Sequence, residues 1–533
     1  MRSFRLTFDC IEGVAMNAFS DHIASSASCY AHKSDAKYYN LHPHKRRVFP
    51  MSTTEPPRSS SFATDVLTLV GGTVLAQAIA ILASPLLTRL YSPADFGLYA
   101  LFLSVTGILS VVACLRYDLA IMLPERDEEA ANVVTLSIAL AACTSLLTIP
   151  ILWLAWAPML SLLNAPKLEP NLWMVPVAVF LGGAFNALNY WNSRTRQFKR
   201  LSISRAISSV TTTGAQIGAG LAGHATGGSM IGGSIAGLLL SALFLGAKIW
   251  DNLKHIRKSI CRAEVIKGLK RYRKFPLIDT WSGLLNSISY QLPVFFLSAF
   301  FSAEVVGYYT LTNRVLQMPM SLIGSAVAQV FFQRAVVANA RRTMSAVVEN
   351  TFTHLMMIGL YPILIILLIG EDVFRFFFSS AWAEAGVYAQ ILALWILFVF
   401  VTSPLSTMFA VFERQETFLL INILLFIARA ATLTLGGLMG NARFALVLYA
   451  LVSLIFWVYM CIWILNRSKV SLEVIIWRSL IYLLYSLPAA ICIVISKYFL
   501  HLTPSYLILI SLIGVIIYYI CSIKQDDILN NYF

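Results

Sequence analysis

From Ser60 onward the chain is a succession of apolar runs, each about 18 residues or longer, divided by short polar stretches. A helix of about 20 residues crosses roughly 30 Å of hydrocarbon, so every run can span a bilayer. Inside hydrocarbon each backbone N–H and C=O needs an internal partner, which leaves only helices and closed barrels. Barrel strands alternate apolar and polar residues; these runs do not. The chain therefore reads as an all-α polytopic membrane protein. Composition agrees, with 58% of residues apolar and only 12% charged, against about a quarter charged in soluble domains.

About fourteen spans emerge, centred near Ala76, Val105, Leu140, Leu181, Thr213, Gly237, Asn286, Met318, Leu360, Leu397, Phe426, Leu451, Leu487 and Leu512. The loops are mostly short and hold no soluble domain. With the N-terminus in the cytoplasm, the basic stretches at 193–205, 248–275, 333–342 and 466–469 all fall on one side. The opposite loops, such as "GHATGGS" and "SAE", hold almost no lysine or arginine. This positive-inside asymmetry places both termini in the cytoplasm. It also accounts for the net charge of +14 without nucleic acid, since no basic face interleaved with aromatics occurs. The eight cysteines are scattered, with no CxxC pair or His cluster, so neither metal ligation nor a disulfide framework is expected.

Residues 1–60 read as a disordered polar tail without the apolar region of a secretory signal. "MSTTEPPRSSSF" leads straight into the first span, and the reading places the start at Met51. A six-span bundle over 61–250 is followed by a basic linker at 251–275 and a second bundle over 276–465. Residues 466–533 add two spans and a short cytoplasmic tail. The bundles are related by an internal repeat: "SPADFGLYALFLSV" (92–105) and "SAEVVGYYTLTNRV" (302–315) share Ser, an acid, Gly, Tyr, Leu and Val in order. An even number of spans separates the copies, so they are parallel. Parallel halves around a central cavity are an alternating-access architecture. Arg314 stands where the first half has Ser104, so the second copy carries an added charge.

The stretch 92–133, "SPADFGLYALFLSVTGILSVVACLRYDLAIMLPERDEEAANV", and "YYTLTNRVLQMPMSLIGSAVAQVFFQRA" (308–335) resemble the bacterial polysaccharide transporter family. This family comprises O-antigen (Wzx-type) lipid-linked oligosaccharide flippases and lipopolysaccharide-biosynthesis relatives, within the multidrug/oligosaccharidyl-lipid/polysaccharide exporter superfamily. The resemblance covers most of 60–465. It implies two six-helix bundles plus C-terminal helices, and movement of undecaprenyl-diphosphate-linked glycan across the bacterial inner membrane. The implied partners are that lipid carrier, membrane lipid, and polysaccharide polymerase and assembly proteins.

A diphosphate crossing a low-dielectric cavity calls for a cation, and arginine's planar fork meets phosphate oxygens bidentately. Arg314 and Arg429 both lie near mid-span, where a bare arginine costs about 2.5–3.5 kcal/mol on translocon scales. Asn313 adjoins Arg314, and Gln317, Ser321 and Ser325 follow it at helical spacing on one face, with Pro319 bending the helix. Asn422 shares a face with Arg429, as do Asp279, Gly283, Asn286 and Tyr290 on another span. These stripes would line a sugar-sized path; interhelical polar packing is the plain alternative. Asp65, Asp279, Arg116 and Asp118 are candidates for gating or coupling. A solvated loop is the ordinary reading of Arg116 and Asp118, and a match to the helix dipole that of the other two.

No catalytic residue and no cofactor is expected. The glycine-rich 223–240 stretch follows no strand and lacks GK[ST], so helix packing explains it. Without an ATPase motif, energy must come from a proton or sodium gradient or from substrate flux. A cation-coupled multidrug exporter on the same scaffold is the second reading, but would favour a mid-span carboxylate. A membrane glycan polymerase or ligase is the third. It needs acid–base residues in a large outward loop, and the longest such loops, near 158–170 and 370–386, offer no convincing pair.

Overall fold

The computed structural model describes residues 62–256, 262–341 and 343–532; the N-terminal tail and Met51 lie outside these. Their regular structure is helical. The first half comprises α1 (Phe62–Leu82), α2 (Ser84–Leu90), α3 (Pro93–Ala113), α4 (Tyr117–Ala120), α5 (Asp127–Leu162), α6 (Met174–Arg194), α7 (Phe198–Leu221) and α8 (Gly227–Ile256). A linker helix, α9 (Arg262–Arg271), leads into α10 (Thr280–Phe300), α11 (Ala303–Leu316), α12 (Ser325–Arg341), α13 (Met344–Phe378), α14 (Ala383–Leu405), α15 (Met408–Val411), α16 (Gln415–Leu438) and α17 (Ala442–Arg467). Two further helices, α18 (Leu472–Tyr498) and α19 (Pro504–Tyr532), complete the chain.

Ten helical segments among the described residues are long and apolar enough to cross a membrane. They coincide with ten of the fourteen expected spans. The other four expected centres fall on α6, α7, α10 and the α11–α12 segment. These four are the more polar helices, carrying Asn186, Asn189, Arg205, Gln216, Asn286, Asn313 and Arg314. Two expected outward loops are largely helix instead: α5 continues through Leu162 and α13 through Phe378.

Within the first half α1 packs on α7, α7 on α8, and α3 on α6 and α8; in the second, α14 packs on α13 and α17, and α10 on α16. The glycine-rich start of α8 serves packing, as expected. A Cβ on Gly237 would stand 2.1 Å from Thr212 Oγ1 of α7.

The repeat has a physical basis. Ser92 and Ser302 both cap helices, accepting hydrogen bonds from the N–H of Asp95 and Val305. The acid three residues after Ser92 completes a capping box there. The shared glycine serves a different need, the close approach of two helices.

The last two helices dock on α13 through polar and aromatic contacts. Tyr518 stacks on Tyr361 with ring centroids 5.1 Å apart, and its hydroxyl donates to the Met357 carbonyl at 2.9 Å. Lys497 pairs with Asp372 at 2.8 Å and Arg478 with Glu349 at 3.1 Å. Each pair is about four-fifths buried, and breaking one would leave a buried charge unpartnered. Lys497→Met is accordingly expected to loosen α18 and α19, read as faster limited proteolysis of the C-terminal segment in detergent. Unchanged proteolysis would show that the aromatic contacts suffice.

Candidate functional site

The two halves meet along α3 and α11, the helices that carry the repeat. A Cβ built on Gly97 would lie 1.7 Å from the Ala303 carbonyl oxygen, and one on Gly307 would lie 1.8 Å from that of Pro93. Each shared glycine thus lets its helix touch the start of its counterpart. Trp382 closes the same end, donating its indole N–H to the Thr88 carbonyl at 2.9 Å and meeting Phe96 edge-on at 4.8 Å.

Two turns further in, the equivalent positions 104 and 314 each bond the first helix of the opposite half. Ser104 Oγ donates to Gln291 Oε1 of α10 at 2.9 Å. Arg314 Nη2 donates to the Ala80 carbonyl of α1 at 2.9 Å. That carbonyl sits in the last turn before a break the sequence did not reveal. The expected single first span stops at Leu82 and resumes at Ser84 with Pro85 in its first turn, where proline cannot donate a backbone bond. Ser84 Oγ also bonds the Ala80 oxygen, at 2.8 Å. Among the described residues, no carboxylate lies within ion-pair distance of Arg314.

The polar stripe expected from Arg314 to Ser325 is not continuous. The helix ends at Leu316, and Met320–Gly324 forms a π-turn, which shifts the register ahead of Ser325, whose side chain lies outside the described residues; Ser321 N–H still bonds the Gln317 carbonyl at 3.1 Å. Pro319 stands in the break between Leu316 and Met320. Gln317 Nε2 donates to Asn313 Oδ1 at 2.9 Å, joining those two residues to each other.

Arg429 differs from expectation more. It is engaged within its own half: Nε donates to Ser453 Oγ at 2.9 Å, and the guanidinium lies 5.2 Å and 5.1 Å from the rings of Trp395 and Tyr449. Two aromatic rings set edge to face hold a cation without a carboxylate, an arrangement of the kind the packing alternative describes. Asn422 is exposed and donates to the Phe418 carbonyl of its own helix at 2.7 Å. Asn286 is exposed on α10. The structure brings neither to Arg314.

Of the gating candidates, Asp65 lies in the first turn of α1, and its side chain falls outside the described residues. Asp279 is exposed at the N-cap of α10, after a second π-turn at Phe275–Asp279, and makes no capping bond. Its match to the helix dipole rests on position alone. Arg116 and Asp118 depart from a solvated loop: Asp118 is 5% exposed, and the Arg116 Nε is buried. Leu115 and Arg116 have φ of 46° and 61°, a left-handed break that sends the arginine across the seam. Its Nη2 sits where a Cβ on Gly283 of α10 would come within 2.1 Å. Burial pushes the Asp118 carboxyl above its usual range, and the Arg116 charge opposes this. Beside them Tyr117 donates its hydroxyl to the Leu269 carbonyl of the linker helix at 2.8 Å. The halves therefore touch at the linker end as well as at the glycine end.

One half-buried cation, Arg205, lies deeper in a helix than its sequence context implies. Arg205 was placed in a basic loop, but α7 begins at Phe198 and carries it about 10 Å into the helix. The signal available was its helical spacing to Ser209 and Gln216. No group of three metal-ligating side chains occurs among the described residues.

The sequence profile of a family described as "Polysaccharide biosynthesis protein" matches residues 86–387. The chain is 25% identical over 323 residues to the succinoglycan biosynthesis transport protein ExoT of Rhizobium meliloti (strain 1021). That match covers 58% of this chain and 61% of the relative, so the chain spans about three-fifths of the relative's length. Two solved structures share the fold. The lipid II flippase MurJ, in an inward closed conformation, has a TM-score of 0.65 at 12% identity and covers 88% of this chain and 100% of its own. An inward-facing multidrug resistance MATE family transporter of the MOP superfamily has a TM-score of 0.58 at 15% identity, covering 74% and 94%. At these identities the likeness speaks for the fold alone.

Proposed function

We propose, for a chain that belongs to the polysaccharide biosynthesis protein family, the flipping of a lipid-linked oligosaccharide across the bacterial inner membrane. The protein is a multi-pass membrane transporter with the fold of the MOP superfamily. The observation that carries the finer reading is Arg314. A half-buried cation that reaches across the seam between two halves to one carbonyl has bonding capacity left for an anion. A polyprenyl diphosphate supplies that anion, and its glycan would pass along the same seam while its tail stays in lipid. Alternating access follows if the contacts at the glycine end and at Arg116 open in turn, with both termini in the cytoplasm.

The test is reconstitution into proteoliposomes with an undecaprenyl-diphosphate-linked oligosaccharide, read by lectin access to the glycan outside. Protein-dependent flipping is expected. Failure to flip it, together with export of a lipophilic cation, would replace this reading with the multidrug one. The orientation has its own check: a reporter active only in the cytoplasm should work when fused within 262–271. One active only outside should work at Gly223 or Ser302, and the reversed pattern would invert the assignment of the seam's two ends.

A further inference from the structure

Two arginines, not one, grip the broken first helix. Arg205 of α7 donates from Nη1 to Thr73 Oγ1, and Arg314 of α11 donates to the Ala80 carbonyl. Thr73 and Ala80 are seven residues apart, which puts them on one face of α1, about 10 Å apart along its axis. Ser209, a turn after Arg205, bonds the Ala76 carbonyl between them at 2.6 Å. The helices are close here, since a Cβ on Gly72 would stand 1.8 Å from Ser202 Oγ. Both arginines are half-buried, and among the described residues neither has a carboxylate within ion-pair distance. Their present partners are a hydroxyl and a carbonyl, which accept a hydrogen bond but cancel no charge. Two uncompensated cations aligned in low dielectric favour an anion strongly.

Resting on the diphosphate reading above, we propose that Arg205 is a second phosphate-binding residue, and that it and Arg314 form two stations of one anion track along α1. Arg205 stands nearer the end of the bundle that bears the linker helix, and Arg314 nearer the break before Ser84. The diphosphate meets Arg205 first and passes to Arg314. Thr73 and Ala80 are the resting partners that each guanidinium leaves when phosphate oxygens replace them. Arginine is suited to both stations, because its fork can hold one phosphate oxygen while exchanging another.

Binding of undecaprenyl diphosphate and of neutral undecaprenol to the purified full chain in detergent tests this. Arg205→Gln is expected to weaken diphosphate binding roughly tenfold, the loss of about one charge-assisted bond, while leaving undecaprenol binding unchanged. Arg205→Lys should recover part of the loss. Thr73→Val removes the resting partner but not the charge, and should bind the diphosphate at least as well as the parent. If Thr73→Val weakens binding as much as Arg205→Gln does, Arg205 is a helix tether and the proposal falls. It falls too if Arg314→Gln loses diphosphate binding while Arg205→Gln keeps it, an outcome that leaves the functional reading standing. Equal binding of diphosphate and undecaprenol by the parent chain would overturn both.

Discussion

Arg314→Ala is expected to abolish surface-glycan export while the protein stays abundant in the membrane. In the resting state the arginine's recorded bond is to one carbonyl, so alanine sacrifices little that holds the halves together. Ser84 Oγ still bonds the Ala80 oxygen, so the broken turn of α1 keeps a partner. Removing a cation from hydrocarbon also relieves a cost of about 2.5–3.5 kcal/mol, which offsets the lost bond. The diphosphate loses far more. Two charge-assisted bonds are together about 3–6 kcal/mol, so transport should fall by roughly 10²- to 10⁴-fold.

Arg314→Lys separates charge from geometry. Lysine keeps the cation but offers no planar fork, and only partial export is expected. Quantitative blotting of membranes beside an export assay decides the matter. Alanine variants that lose abundance and export together would assign Arg314 to packing. A stable and fully active Arg314→Ala protein would remove it from the mechanism and leave Arg205 as the cation to pursue, since Arg429 already lies against the rings of Trp395 and Tyr449.

What was legible in the sequence followed from lengths and periods. Hydrocarbon thickness fixes how many apolar residues make a span, so the spans could be counted along the chain. Ten of the fourteen expected spans have that length and apolarity, and the other four expected centres fall on helices, α6, α7, α10 and the α11–α12 segment, that are more polar or shorter. The repeat could be aligned because a serine cap and a close-contact glycine each demand a particular residue type. The site was legible only in part, because side-chain partners across a seam depend on packing that periodicity does not encode. A mid-span arginine looks the same in sequence whether it reaches across the seam between the halves, as Arg314 does, or lies against aromatic rings of its own half, as Arg429 does. Helical spacing assumes an uninterrupted helix, and the π-turn at Met320–Gly324 interrupts the one that was to carry the stripe from Arg314 to Ser325. Arg205 was missed because a cation near a span's end is ordinarily a topology signal, and only the extended start of α7 reveals its depth.

The repeat glycines carry the other large effect, and a double substitution exposes it. Gly307→Ala would place a methyl about where the Pro93 carbonyl stands, and Gly97→Ala would do the same at Ala303. The obstructing atoms are backbone, so no side chain can rotate away, and α3 and α11 must separate. Overpacking of this kind costs about 1–3 kcal/mol. Separation at this end would also pull Trp382 from Thr88 and Phe96, so the seam would open where it is now shut. Each single variant should therefore lower thermal stability in detergent and slow export, and a cysteine placed at Ala303 should become reactive to a membrane-impermeant maleimide. The two glycines face each other across one crossing, so once the first methyl has parted the helices the second meets little resistance. Their combined cost should fall well short of the sum of the singles. Strictly additive costs would mean that the two contacts yield independently. Wild-type stability and labelling in both single variants would show that the crossing tolerates a methyl and that close approach is not why both halves keep glycine there.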